Sequence, residues 1–134
     1  MTIEVELHLR IVSEANAHTH WRRRQKRAAE QRAMARLAIA PRVAAWREML
    51  TCPVRPLACF EPQLVVTLTR IAPRELDDDN NVGAHKHIRD GIADALGVND
   101  RDKRITWRYG QQRGAPLQYA VRVVLEAVES QKHG

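Results

Sequence analysis

Leu76-Asp77-Asp78-Asp79-Asn80-Asn81 sets three carboxylates side by side in a chain of 134 residues whose formal net charge is +6. Adjacent acids repel one another unless solvent, salt or a divalent cation neutralises them. A hard cation such as Mg²⁺ needs one or two carboxylates and completes its shell with waters and phosphate oxygens. Asp77 and Asp79 are therefore candidate metal ligands. Farther on, Asn99-Asp100-Arg101-Asp102 brings a second acidic pair just before an expected strand. Asp100 or Asp102 completes the site if the two strands concerned are neighbours. Such carboxylates suit Mg²⁺-assisted phosphodiester hydrolysis: the metal polarises the phosphate and activates water, and a lysine steadies the developing charge. The alternative is a solvated turn that caps the next helix. Spacing excludes a calcium EF-hand. Counting from Asp77, the sixth position is Val82 where glycine is needed, and the twelfth is Ile88 where glutamate is needed.

The positive charge sits elsewhere. Between Thr19 and Leu50, eight arginines and Lys26 face only Glu30 and Glu48, a surplus of +7, and the remainder of the chain carries −1. Arginine favours bidentate phosphate contact. A sequence pI near 10.0 and a basic segment of this kind are the footprint of a nucleic-acid partner. Arg22, Arg23, Arg24, Lys26 and Arg27 are the expected DNA contacts. A solvated helix face is the competing explanation.

Other constellations are weaker. His18, His20, His85 and His87 are potential metal ligands, but Cys52 and Cys59 lack zinc-finger spacing. No Gly-rich phosphate loop and no hydrolase triad order stands out. Two cysteines, no apolar run of membrane-spanning length and no leader pattern at Met1–Glu6 lead us to expect a reduced, cytoplasmic protein with no membrane partner.

These residues need elements to hold them. Ile3, Val5, Leu7 and Leu9 alternate with polar residues, so Thr2–Val12 reads as a half-buried strand. Trp21 to about Ala40 reads as a helix that Pro41 interrupts, and Arg42–Leu50 resumes it. Cys52–Pro62, with three prolines, reads as a connector. Leu64–Ile71 is β-branched and is the best central strand. Asp79 or Asn80 caps a helix running from Asn81 to Leu96, which Gly97 stops. Ile88, Ile92 and Ala95 share its apolar side, and Lys86, Asp90 and Asp94 lie opposite, on the side toward which Asp79 points. Val98–Lys103 reads as a turn, Arg104–Tyr109 as a strand, Gln111–Pro116 as a turn and Leu117–Val128 as a last strand. The tail from Glu129 to Gly134 is expected to fray. The order β-α-β-α-β-β predicts an α/β (α+β) fold. We expect one domain over residues 1–128, with a mixed sheet of about four strands packed on two main helices.

Asp77-x-Asp79-Asn80, a helix carrying Lys86, Asp94-Ala95-Leu96, and then Asp100 and Asp102 before a strand resemble the RusA family of Holliday junction resolvases of prokaryotes and their phages. Ser13-x-x-Asn16 after the first strand resembles that family's N-terminal loop. Asn81 stands where the family usually has leucine. The resemblance implies a RusA-like fold and a homodimeric, Mg²⁺-dependent endodeoxyribonuclease (Mn²⁺ as the substitute) that acts on four-way or other branched DNA in recombination and repair. It implies that Asp77 and Asp79 bind metal, that Asp100 or Asp102 supplies the third carboxylate and that Lys86 is the essential basic residue. A non-catalytic DNA-binding accessory protein using the same Arg-rich helix is the alternative.

Overall fold

Leu64, Val66 and Leu68 stand on one side of a β-branched run and are at most 1% exposed, so this run lies against the core. In the computed structural model, which describes residues 2–13, 21–51 and 60–131, it belongs to a four-stranded mixed sheet. The strands are β1 (Thr2–Leu7), β2 (Phe60–Ala72), β3 (Ile105–Arg113) and β4 (Ala120–Gln131), in spatial order β1-β4-β2-β3. β4 runs antiparallel to both β1 and β2, and β2 runs parallel to β3. The helices are α1 (Trp21–Ile39), α2 (Ala44–Thr51), α3 (Asp78–Ala84) and α4 (Lys86–Leu96). A short 3-10 turn at Ala40–Arg42 holds Pro41 between α1 and α2. Together they form one α+β domain.

Among the described residues the two main helices are α1 and α4, α2 resumes after Pro41 as expected, and the expected 81–96 helix is divided into α3 and α4. His85 is the dividing residue. Its ring Nδ1–H donates to the Asn81 carbonyl at 2.7 Å, the acceptor that its own backbone N–H meets in a continuous helix. That N–H turns to Val82 O at 3.2 Å instead. α4 then starts afresh, with Ile88, Ile92, Ala95 and Leu96 buried as the apolar pattern requires. Gly97, at φ 73°, ends it, and the Val98 N–H reaches back to Ala93 O at 3.1 Å.

Strand lengths follow from neighbours. β1 stops at Leu7 because its partner begins near Val121. β2 extends back through Pro62, which is tolerated because among the described residues only β4 flanks it there; pairing with β3 begins at Leu64. The same pairing carries β4 to Gln131, into the segment expected to fray. β3 continues to Arg113 for as long as β2 offers a partner. α1 crosses α4 closely at Gly91, where an added Cβ would run into the Arg32 carbonyl oxygen and stand 2.8 Å from the Ala35 Cβ. Only a residue without Cβ permits that crossing.

Candidate functional site

The acidic run is anchored by neutral groups. Leu76 is gripped from both sides by one amide: its N–H donates to Gln111 Oε1 at 2.8 Å, and Gln111 Nε2 donates to Leu76 O at 2.7 Å. Ser13 Oγ donates to Asn80 Oδ1 at 3.2 Å, and Asn81 Nδ2 donates to Gly110 O at 3.1 Å. Upstream, the buried Arg70 donates to Arg74 O at 2.6 Å. Burial, and then the charge of Arg10, lowers the Arg70 pKa. Between these anchors Asp77, Asp78 and Asp79 are exposed. Asp77 occupies the N-cap position of α3 but makes no side-chain capping bond. Among the described residues none of the three carboxylates has a hydrogen-bond or ion-pair partner. Lys86 is exposed at the start of α4 and has none either.

Asp100 and Asp102 are placed differently. β2 and β3 are neighbours but run parallel, so the chain leaving β2 and the chain reaching β3 lie at opposite ends of the pair. Ala72 pairs with Arg113, whereas Leu64 pairs with Ile105. Strand adjacency therefore separates the two acidic segments instead of merging them. The chain passes back along β3 through α3 and α4, from Gln111 and Gly110 toward Tyr109 and Trp107, but the acidic run itself stays at the Gln111 end. The shared face inferred for Asp79 and Lys86 from one continuous helix likewise does not carry across His85.

Asp102 is committed to Arg104, whose Nε and Nη2 bond its two oxygens at 3.0 and 2.8 Å. That pairing holds the Asp102 carboxyl below its usual pKa. Arg104 also donates to Leu50 O, so the pair fastens α2 to the start of β3. Asp100 is held by Arg89, a residue that sequence reasoning missed. Arg89 Nε lies 3.3 Å from Asp100 Oδ2, and Arg89 Nη2 donates to the Asp100 carbonyl at 2.8 Å. Arg89 also donates to the Tyr109 hydroxyl, and its guanidinium lies 4.7 Å from the Trp107 ring centroid. No spacing in the sequence joins residues 89, 100, 107 and 109; only β3 and α4 side by side do.

Asp90, Asp94, Asn99 and Asp100 line an open cleft of about 320 Å³ with Arg32. Arg32 bonds Asp94 through both oxygens. That contact raises the Arg32 pKa and lowers that of Asp94. Among the described residues no group of three or more His, Cys, Asp and Glu side chains converges to hold a metal ion.

The basic residues form an arm. Gln31, Ala35 and Ile39 are buried, but Trp21–Glu30 contains no buried residue. Arg22, Arg23, Arg24 and Lys26 are exposed and Arg27 half-buried. The Arg22 guanidinium lies 5.6 Å from the Trp21 ring centroid, and Lys26 pairs weakly with Glu30 at 3.9 Å. Of the other candidate ligands, His18, His20, Cys52 and Cys59, like Asn16, lie outside the described residues. His85 is fully buried, and burial lowers its pKa to about 4, so it is neutral.

No family model matches the chain. It is 39% identical, over 91 residues, to a protein of Xylella fastidiosa (strain Temecula1 / ATCC 700964) described as uncharacterized. The match covers 64% of this chain and 52% of that protein, so the chain spans about half the length of the relative it matches. Among the described residues no helix is long and apolar enough to cross a membrane.

Proposed function

We propose that this protein is a Mg²⁺-dependent endonuclease of RusA type, hydrolysing phosphodiesters in branched DNA such as four-way junctions. The observation that carries this reading is the condition of Asp77 and Asp79. They are exposed and unbonded, yet held between Leu76, Asn80 and Asn81, each of which is pinned by a hydrogen bond. A pair of fixed, unneutralised carboxylates fits a Mg²⁺ (or Mn²⁺) ion that draws its other ligands from water and phosphate. When bound, the ion supplies Lewis-acid polarisation of a phosphate and a more acidic water. Asp102 does not fit as the third ligand, because Arg104 takes both its oxygens. Asp100 stands with Arg89 and Trp107, away from the Gln111 end of β3 where the run is held, so waters and phosphate oxygens are left to complete the shell. Lys86, exposed and without a partner among the described residues, offers a cation for a non-bridging phosphate oxygen. The arm from Arg22 to Arg27 contributes sequence-independent phosphate contacts. A homodimer would set two such sites against a substrate with its own twofold symmetry.

The test uses a synthetic four-way junction and a linear duplex, with and without Mg²⁺. Cleavage of the junction only with Mg²⁺, abolished in Asp79→Asn with junction binding intact, is the expected result. Full activity in that variant sinks the assignment. The engagement of Asp102 by Arg104 favours a second reading, a DNA-binding accessory protein without cleavage. It predicts binding to the same substrates and no metal-dependent nicking.

A further inference from the structure

The hairpin joining β3 to β4 turns through Ala115-Pro116-Leu117-Gln118. The turn is closed twice between its end residues: Gln118 N–H donates to Ala115 O at 3.0 Å, and Ala115 N–H donates to Gln118 Oε1 at 2.8 Å. Proline in the second position and a positive φ in the third is the type II pattern, whose third position calls for glycine or asparagine. Here that position holds Leu117, at φ 62°, the sole non-glycine residue with positive φ among those described. Leu117 is also 86% exposed, the most exposed of the large apolar side chains described. Neither core packing nor turn chemistry explains a leucine there; the fold would favour glycine on both counts. Strain of this kind points to function.

Its surroundings indicate a partner. No acidic residue occurs between Gly110 and Arg122. Arg113, Arg74 and Arg10 are exposed around the base of the hairpin, and Arg10 lies 4.5 Å from the Tyr119 ring centroid. The Gly114 N–H donates to Ala72 O, so the hairpin rises from the end of the sheet that leads into the acidic run. An exposed apolar side chain at the tip of a hairpin whose base carries arginines suits a polyanion with an apolar interior that opens locally. Nucleic acid has that character, and leucine is among the side chains that wedge between base steps. Opening is cheapest where bases are already poorly stacked.

We infer that Leu117 is a wedge that enters the stack at the branch point of branched DNA and selects it over linear duplex. This rests on the proposed nuclease reading and adds the residue that recognises the substrate class. The test measures binding of wild type, Leu117→Gly, Leu117→Asn and Leu117→Met in EDTA, to a linear duplex and to a four-way junction. The junction carries 2-aminopurine at its branch point. Wild type and Leu117→Met should prefer the junction and brighten the probe. The Gly and Asn variants, which suit positive φ, should melt no lower than wild type, lose roughly tenfold to a hundredfold in junction affinity, the range that burial of one leucine supplies, and leave duplex affinity unchanged. Undiminished junction affinity and brightening in both variants overturn the wedge and leave the nuclease reading standing. A wild type with no preference for the junction overturns the wedge, whereas the nuclease reading stands or falls by Mg²⁺-dependent cleavage of the same junction. Equal losses on junction and duplex overturn the wedge, because they show a general contact.

Discussion

Arg32 meets Asp94 with two parallel hydrogen bonds, Nε to Oδ2 at 2.6 Å and Nη2 to Oδ1 at 2.8 Å. They bolt the root of the basic arm to α4. Both side chains are partly exposed, so Asp94→Ala should cost only about 1 kcal/mol at neutral pH. The folded Asp94 pKa lies below the unfolded value. Its contribution is therefore full above the ordinary carboxylate range, near pH 4, and fades as pH falls through the folded value. Urea melts at pH 7 should separate wild type from Asp94→Ala, and the gap should narrow as the melts are repeated at successively lower pH below the ordinary carboxylate range.

His85 gives the opposite kind of group in a different window. Its folded pKa is about 4, against an ordinary 6.5. As pH falls below 6.5 the unfolded chain takes up a proton that the buried imidazole refuses. Stability is highest above pH 6.5 and declines toward pH 4, by on the order of 3 kcal/mol. His85→Asn retains an amide donor for the Asn81 carbonyl. Its unfolding free energy should be lower at pH 7.5 but should lack this decline. An identical pH profile in the two proteins would refute the assignment.

Gly91→Ala tests the α1–α4 crossing. Its Cβ would press on backbone, which cannot swing aside as a side chain can. Overpacking of this sort should cost about 1–3 kcal/mol, outweighing the roughly 1 kcal/mol that alanine gains over glycine in a helix. Chemical denaturation reads the balance, and a stabilised variant would show that the helices can part freely.

The arm should act through charge alone. Replacing Arg23 and Lys26 with alanine should weaken junction and duplex binding alike. It should also flatten the dependence of log affinity on log salt by about one unit per lost phosphate contact. Unchanged salt slopes would remove the arm from the interface. This pattern is the reverse of that expected at Leu117, where affinity changes for one substrate and the slope does not.

Much of the fold was legible from local pattern. The alternation from Ile3 to Leu7, the β-branched Leu64–Ile71 run, the apolar Ile88-Ile92-Ala95 stripe and the Gly97 stop each declare themselves within a few residues. What escaped depends on partners distant in sequence. β2 passes through Pro62 because, among the described residues, no strand flanks it on one side there, and β4 reaches Gln131 because β2 pairs with it that far. The break at His85 requires a ring to compete with its own backbone for one carbonyl, which periodicity does not register. At the site, Asp77, Asp79 and Lys86 could be singled out by type. That Asp102 is consumed by Arg104 and Asp100 steadied by Arg89 could not, since each pairing depends on where β3 begins relative to α2 and α4.

The grip of Gln111 on Leu76 has a consequence for how this protein meets its medium. The bonds that fix Leu76, Asn80 and Asn81 involve amide, hydroxyl and carbonyl groups, none of which titrates or is weakened appreciably by ions in solution. The three aspartates can lose or gain counter-charge without moving the framework that carries them. Geometry and ionic state are thus insulated from each other, and the acidic run keeps one shape across a wide range of salt, much as an electrode keeps its form at any potential.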